Sequence, residues 1–332
     1  ILAKIPITIR EEELVVGSST LAPRGCQTFP EYSWEWLEAE FDTIEKRSAD
    51  PFYISEETKE RLRKVHTYWK GKTNSELALS YMAPETVKAM EHNVFTPGNY
   101  FYNGVGHVTV HYDKVLEKGL SGIIREAAEE LSRCQVGDAD YATKHCFLEA
   151  VILSCAAVIG YAERYAALAK QEAEGCADPV RKQELLQIAE NCSRVPKEGA
   201  KSFWEACQSF WFIQQLLQME GSGHSISPGR FDQYMYPYYK KDLDAGKITR
   251  DQAQELIDCI WVKLNDLNKA RDAASAEGFA GYSLFQNLIV GGQDENGLDV
   301  TNDLSFMCIW ASHHVFLPQP SLSIRVWNLC LL

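Results

Sequence analysis

The clearest pattern of apolar and polar positions in the chain lies between about residues 141 and 170. Steps of three and four residues bring one set of side chains to a single helix face, namely Phe147, Val151, Ser154, Val158, Tyr161, Tyr165 and Leu168. A second apolar stripe beside it consists of Ile152, Cys155, Ile159 and Ala162. So wide an apolar face predicts a helix packed inside a large domain, with Asp138 or Asp140 capping its first turn.

Two more long helices follow from the same periodicity. Residues 200–219 place on one side Phe203, Cys207, Phe210, Gln214 and Leu217, with Trp204 and Trp211 beside them. Thr249 and Gln252 have the spacing of a capping box, so a helix is predicted to begin at Thr249. Its inward positions are Leu256, Ile257, Ile260, Trp261, Leu264 and Leu267. Shorter helices are predicted near residues 31–47, 55–70, 113–134, 179–193 and 300–314.

Strand signals are fewer and shorter than helix signals. Residues 286–292 form a compact apolar run that ends in two glycines, and residues 321–327 alternate between apolar and polar side chains. Residues 14–16 and 108–110 are weaker candidates. The combined pattern predicts a helix-rich α/β protein with a barrel or sheet core.

Charge and composition narrow the classes of partner. The 332 residues carry a formal net charge of -13, and such an acidic surface repels nucleic acid and anionic membranes. The most apolar run, residues 150–160, is too short to span a bilayer, and the first residues do not resemble a leader peptide. We therefore expect a soluble protein without nucleic-acid or membrane partners.

The ten cysteines are scattered along the chain, and none forms a Cys-x-x-Cys pair. This distribution indicates reduced thiols used as small apolar residues in a reducing cytoplasm. Cys330 has no helix start, paired histidine or basic cluster beside it, so it is not expected to be a nucleophile.

Two glycine-rich segments each present a histidine, at His107 and at His224. Glycines let a backbone approach a ligand closely, and an imidazole exchanges protons near neutral pH. With the hydroxyl of Ser225 next to His224, these groups suit a pocket for a small polyol. The residues alone leave open whether either histidine is instead an ordinary turn or core residue.

Other chemistry has less support in the sequence. Neither glycine-rich segment has the spacing of a phosphate-binding loop, and no helix carries a zinc-type histidine pair. His313 and His314 are adjacent and are interpreted as ordinary helix residues. The aromatic-rich residues 230–239 could form a stacking platform, but buried packing is favoured in so acidic a chain.

Five ordered segments resemble the glycyl radical enzymes, and the resemblance extends from about residue 7 to residue 328. The segments are Ile7-Thr-Ile-Arg-Glu-Glu-Glu-Leu-Val-Val-Gly17, Ser227-Pro-Gly-Arg-Phe-Asp-Gln-Tyr-Met-Tyr-Pro-Tyr-Tyr239, Glu255-Leu-Ile-Asp-Cys-Ile-Trp-Val-Lys-Leu-Asn265, Gln286-Asn-Leu-Ile-Val-Gly-Gly292 and Gln319-Pro-Ser-Leu-Ser-Ile-Arg325. The segments around His107 and His224 are similar to those of the cobalamin-independent glycerol and propane-1,2-diol dehydratases.

The resemblance implies the N-terminal part of a ten-stranded α/β barrel built from two half-barrels. It implies that His107, His224 and Ser225 contact substrate hydroxyls, with Asn99 and Tyr282 also lining the pocket and His107 acting as the catalytic proton donor. Residues 1–332 would form one incomplete domain, because the thiyl-cysteine loop and the C-terminal glycyl radical segment are absent. The chain is therefore expected to be a fragment that is inactive alone.

The implied reaction of the intact enzyme converts glycerol to 3-hydroxypropionaldehyde, or propane-1,2-diol to propionaldehyde. No cofactor is expected on this chain. The intact enzyme would use a protein glycyl radical installed by an activating enzyme that needs S-adenosylmethionine and an iron–sulfur cluster. A homodimer, anaerobic metabolism and a location in the cytoplasm or a bacterial microcompartment are also implied.

Three alternatives stay open. Another glycyl radical lyase, such as choline trimethylamine-lyase, would share the scaffold. A truncated relic could serve as a noncatalytic binding protein. The two histidines could bind a metal, although the ligand spacing does not favour it.

Overall fold

The computed structural model describes residues 2–95, 106–221, 224–279 and 284–328. The helices in these ranges are α1 (Glu35–Glu40), α2 (Glu56–Trp69), α3 (Asn74–Ser80), α4 (Pro84–Glu91), α5 (Tyr112–Arg133), α6 (Tyr141–Gly175), α7 (Pro179–Arg194), α8 (Phe203–Glu220), α9 (Phe231–Asp244), α10 (Arg250–Asp266), α11 (Ala273–Gly278) and α12 (Asp303–His314), with a 3-10 turn at Ile44–Lys46. The strands are β1 (Cys26–Gln27), β2 (Val108–Thr109), β3 (Ile226–Ser227), β4 (Asn268–Lys269), β5 (Asn287–Gly291) and β6 (Ser321–Arg325).

Parallel pairing organises the strands. β2 pairs with β3 and β5 pairs with β6, while a parallel bridge between Gly229 and Leu288 joins the two pairs. The resulting order is β2-β3-β5-β6, and β1 pairs separately with β4. Long helices cross between successive parallel strands, as this connection requires. The prediction of a helix-rich α/β protein is confirmed.

Helix α8 lies at the centre of the core and fixes the strands through buried amides. The Nε2 group of Gln214 donates to the carbonyl of Ile226 at 2.8 Å and to Oε1 of Gln286 at 2.9 Å. Gln286 in turn donates to the carbonyl of Leu264 in α10 at 2.8 Å. Both glutamines are fully buried, so losing one partner would leave an unsatisfied polar group in the core.

The aromatic-rich segment forms helix α9, which the sequence pattern did not predict. Phe231, Met235 and Tyr239 are fully buried along one face, so the interpretation as buried aromatic packing is confirmed. The buried carboxylate of Asp232 accepts hydrogen bonds from the backbone N–H of Gly291 at 2.7 Å and from the hydroxyl of Ser305 at 2.5 Å. This carboxylate connects α9, β5 and α12.

The predicted start of α10 is confirmed in detail. The hydroxyl of Thr249 accepts from the backbone N–H of Gln252 at 3.1 Å, and the side chain of Gln252 accepts from the N–H of Thr249 at 3.0 Å. The expected cap of α6 is wrong. Asp140 makes no capping hydrogen bond, and the carboxylate of Asp138 accepts instead from the N–H of Gln135 at 3.2 Å.

The apolar face predicted for α6 is only partly buried. Tyr161 and Tyr165 in its second half are buried, whereas Phe147 is 65% exposed and Ser154 is exposed as well. The helix has 35 residues and is long and apolar enough to cross a membrane. The apolar run at residues 150–160, which is too short to span a bilayer, is therefore only part of a longer apolar helix. One such helix is weak support for a membrane span, because core helices of soluble proteins meet the same criterion.

Residues 14–16 are buried but do not form a strand, so this strand prediction is wrong. The side chain of Gln208 replaces a neighbouring strand: its Oε1 accepts from the N–H of Val16 at 2.9 Å, and its Nε2 donates to the carbonyl of Val16 at 2.8 Å. The indole N–H of Trp204 donates to the carbonyl of Leu14 at 2.9 Å. Side chains of α8 thus satisfy this backbone.

Candidate functional site

Backbone hydrogen bonds bring the two histidine segments together immediately before β2 and β3. The N–H of His107 donates to the carbonyl of His224 at 3.3 Å, and that of Val108 donates to the carbonyl of Ser225 at 3.1 Å. The N–H of Ser225 donates to the carbonyl of Leu284, ahead of β5, at 2.7 Å. Three segments that are distant in sequence therefore meet at one end of the parallel strands.

The residues at this junction have an unusual backbone conformation. His107, Ser225 and Phe285 have φ angles of 62°, 52° and 55°, in the left-handed region that non-glycine residues seldom occupy. Such conformations persist where surrounding contacts impose them, and they concentrate at functional sites. The hydrogen bonds between the segments provide those contacts.

Gly106 explains why a glycine precedes the first histidine. A Cβ atom added at this position would lie 1.5 Å from the carbonyl oxygen of His224. Only a residue without a side chain permits this approach of the two backbones. The close approach expected from the glycine-rich segment is therefore present, and it is made to the second histidine segment.

Aromatic rings pack around His224. Its ring centroid lies 5.1 Å from that of His107, 5.8 Å from that of Phe279 and 5.6 Å from that of Phe285. The two phenyl rings contact each other edge to face, with centroids 5.3 Å apart. The rings hold the imidazole of His224 in one orientation.

An open cavity of about 520 Å³ adjoins these rings. It is lined by His107, Thr109, His224, Ser225, Ser227, Phe279, Phe285 and Asn287. On each of the three segments, two lining residues lie two positions apart, so the cavity lies along one face of the sheet, its inner face. Hydroxyl, amide and imidazole groups beside two phenyl rings suit a small molecule with several hydroxyls and a short carbon skeleton.

Burial and positive charge keep His224 neutral. Its side chain is buried, and loss of solvation lowers its pKa to about 4, with further lowering from Lys269, Arg271 and His107. Near pH 7 the ring therefore has one donor nitrogen and one acceptor nitrogen. A neutral imidazole of this kind can hold a hydroxyl group through either its oxygen or its hydrogen.

The cations near His224 belong to a buried charged cluster that the sequence did not reveal. Arg271 and Asp50 are both 4% exposed, and their charged groups lie 3.7 Å apart. The guanidinium carbon of Arg271 lies 5.4 Å from the ring centroid of Phe279. Burial lowers the pKa of Lys269 to about 7. Since these residues come from separate segments, no motif could have linked them to the histidines.

The structure places three of the five expected site residues, His107, His224 and Ser225, at one cavity. Asn99 and Tyr282 lie outside the described residues. Sequence reasoning missed the remaining lining residues, Thr109, Ser227, Phe279, Phe285 and Asn287. Two of them could have been found, because Thr109 and Ser227 follow His107 and Ser225 at strand spacing.

The structure also tests the interpretation of the adjacent histidines near the end of the chain. His313 and His314 complete helix α12, as expected, and Nε2 of His314 lies 2.8 Å from the carboxylate of Asp258. Within the described ranges, no group of three or more histidine, cysteine or acidic side chains is placed to hold a metal ion.

The chain is similar to several dehydratases over almost its whole length. A solved structure concerned with 1,2-propanediol dehydration in Roseburia inulinivorans is 71% identical, with a TM-score of 0.96, over 98% of this chain and 39% of its own. A glycerol-bound, B12-independent glycerol dehydratase from Clostridium butyricum is 57% identical, with a TM-score of 0.94, over 99% of this chain and 41% of its own. The (2S)-3-sulfopropanediol dehydratase of Klebsiella oxytoca is 34% identical over 98% of this chain and 40% of its own.

The chain thus spans about 40% of the length of these relatives. A model of the family described as pyruvate formate lyase-like matches residues 1–330. The expected resemblance to the glycyl radical dehydratases is confirmed. The chain belongs to the pyruvate formate lyase-like family and forms a partial section of the glycyl radical enzyme fold.

Proposed function

We propose that this chain provides the substrate-binding side of a glycyl radical dehydratase that removes water from glycerol or propane-1,2-diol. The single observation that supports this most is the cavity that joins His107, His224 and Ser225. The identities of 71% and 57% to structures concerned with propane-1,2-diol and glycerol favour these two substrates over others of the family. Choline is a weaker candidate, because it carries a fixed positive charge, whereas the described lining of the cavity has no acidic side chain and the cations Lys269 and Arg271 lie near His224.

His224 and Ser225 would hold the substrate. Each is 5% exposed, and their side chains are fixed by the left-handed backbone and by the surrounding rings. A hydroxyl group that replaces water at such buried polar groups is recognised strongly, because an analogue without it leaves them unsatisfied. This arrangement would select a diol over a monohydric alcohol.

His107 would donate the proton that converts the leaving hydroxyl into water. It is more exposed than His224 and lies on the cavity wall, with the two ring centroids 5.1 Å apart. A hydroxyl leaves much more readily as water than as hydroxide, and a positioned acid typically contributes about 10²- to 10⁴-fold to the rate. His224, held neutral, is less suited to this role.

The glycyl radical, through a cysteine of the intact enzyme, would remove a hydrogen atom from the carbon that becomes the aldehyde carbon and would return one to the neighbouring carbon after water has left. The hydroxyl on the aldehyde carbon would lose its proton as it becomes the carbonyl, which balances the proton that His107 gives. The described sheet has room for the segments that would carry these groups. Within the described ranges, β2 and β6 each pair on one side only, so both edges of β2-β3-β5-β6 can accept further strands. The proposal also includes an activating enzyme that installs the radical, a homodimer as the assembled state, and a location in the cytoplasm or a bacterial microcompartment.

The test is a hybrid enzyme in which this chain replaces the matching 39% of the Roseburia inulinivorans protein. After anaerobic activation, the hybrid is expected to convert propane-1,2-diol to propionaldehyde. His107→Ala should lower kcat by at least about 100-fold while an activated radical remains detectable by electron paramagnetic resonance. Normal turnover by this variant would refute the acid role of His107.

A further inference from the structure

Asn287, on strand β5, lines the same cavity as the histidines but is not among the expected substrate ligands. Two positions before it, Phe285 lies on the same inner face. β3 separates β5 from β2, so Asn287 and His107 approach the cavity from strands about 10 Å apart. Both side chains lie on the same face of the sheet, two strands apart, so a small ligand lying over β3 can contact one of them at each end.

The amide of Asn287 is oriented by a neighbouring strand. The hydroxyl of Ser323, on β6, donates to Oδ1 of Asn287 at 2.7 Å. Because the amide oxygen faces Ser323 on β6, the Nδ2 group, which carries two hydrogens, points away from that strand as a donor. Within the described part of the chain, Nδ2 has no acceptor of its own and is not sealed away from solvent.

Joining the strands does not require this side-chain bond. β5 and β6 already pair over five residues, from Asn287 with Ser321 to Gly291 with Arg325. Thr109 and Ser227 also line the cavity, but a hydroxyl rotates freely, whereas the amide of Asn287 is fixed. A fixed donor on a cavity wall is suited to recognising a hydroxyl oxygen.

We propose that Asn287, held in place by Ser323, is a specificity-determining residue that binds the substrate hydroxyl whose oxygen becomes the carbonyl oxygen of the aldehyde. His107 would protonate the other hydroxyl, which leaves as water. The inference rests on the proposed diol dehydration and adds a second anchor for the diol, two strands away from His107. It follows that the two hydroxyls that take part in the reaction are recognised by side chains of different strands.

The test uses the hybrid enzyme and two substitutions at this position. Asn287→Asp keeps the size and the bond from Ser323 but removes the donor, while Asn287→Ala removes both. Each is expected to raise the KM for propane-1,2-diol by roughly three- to tenfold with little change in kcat, because the amide donates to the same oxygen in the bound diol and in the aldehyde that forms from it. Ser323→Ala should have a smaller effect in the same direction. Ser323→Thr keeps the hydroxyl and should therefore leave the KM at the parent value.

A matched control is available on the same strand. Ser321→Ala is the same substitution two residues from Ser323, at an exposed position, and should leave KM unchanged. Inhibition by two alcohols distinguishes a binding role from a structural one. Asn287→Asp should weaken inhibition by propan-1-ol, which has only the hydroxyl that corresponds to the future carbonyl, and leave inhibition by propan-2-ol unchanged. A merely structural role would weaken both alcohols equally, and that result would overturn the inference.

Failure of the inference differs from failure of the proposed function. If the parent hybrid dehydrates the diol and both Asn287 variants keep its KM, the role of Asn287 is wrong and the function stands. If the parent hybrid carries a radical but yields no aldehyde from either diol, the proposed function is wrong and the inference falls with it.

Discussion

Replacing Gly106 by alanine should disrupt the junction between the two histidine segments. The added Cβ would lie 1.5 Å from the carbonyl oxygen of His224, where about 3 Å is the shortest tolerable contact. The two backbones must therefore separate by more than 1 Å. The hydrogen bonds from His107 and Val108 at 3.3 and 3.1 Å would then be lost or badly stretched.

The free energy of unfolding follows from these contacts. Two net hydrogen bonds contribute about 1–3 kcal/mol together, and overpacking strain adds about 1–3 kcal/mol. Gly106→Ala should therefore lower the unfolding free energy by about 2–6 kcal/mol. Gly160→Ala is the matched control: it lies in helix α6 with nothing within 4 Å of an added Cβ, and it should raise stability by about 0.5–1 kcal/mol.

Urea denaturation of the 332-residue chain, followed by tryptophan fluorescence, measures both variants. Gly106→Ala is expected to shift the midpoint down and Gly160→Ala to shift it slightly up. If Gly106→Ala stays within about 0.5 kcal/mol of the parent chain, the close approach of the two segments is not as described.

Two further predictions concern the same chain. Because the pKa of His224 is lowered to about 4 in the folded state, from about 6.5 when unfolded, protons bind the unfolded chain preferentially as pH falls below about 6.5. Between pH 7.5 and pH 5.0 the parent chain should therefore lose about 2 kcal/mol more stability than His224→Gln, measured by urea denaturation. Equal losses in both proteins would contradict the assigned burial. Cys146 is exposed on α6, whereas Cys192, Cys207 and Cys308 are buried and burial raises the pKa of each thiol. Iodoacetamide should modify Cys146 at least about 100-fold faster than these three, as followed by mass spectrometry, and comparable rates would show that the core opens readily.

The sequence could predict features that depend on neighbouring residues. The start of α10 was found because Thr249 and Gln252 form the capping box between themselves. The apolar character of residues 14–16 suggested a strand, but the structure has no strand there. They bond to the side chain of Gln208, and no local pattern distinguishes that from a strand ladder.

The extent of burial along α6 could not be read from periodicity. Helical spacing shows that Phe147 and Tyr165 share a face, but not which part of the face other elements cover. Tyr165 packs against Phe212, whereas Phe147 remains 65% exposed. Strands of two residues, such as β1 and β4, are also too short to alternate visibly.

The candidate site was predictable in its residues but not in its assembly. Histidine beside glycine indicated a ligand pocket at both His107 and His224, and the family resemblance suggested that the two belong together. The parallel pairing of β2 with β3 brings them within 5.1 Å. The charged cluster of Lys269, Arg271 and Asp50 depends on contacts between distant segments, which left no sequence signal.

Product analysis of the activated hybrid enzyme tests the central claim most directly. Supplied separately with propane-1,2-diol, glycerol and choline, the hybrid is expected to release propionaldehyde from the first and 3-hydroxypropionaldehyde from the second, with no trimethylamine from choline. Release of trimethylamine, with no aldehyde from either diol, would contradict the assignment of this chain to diol dehydration.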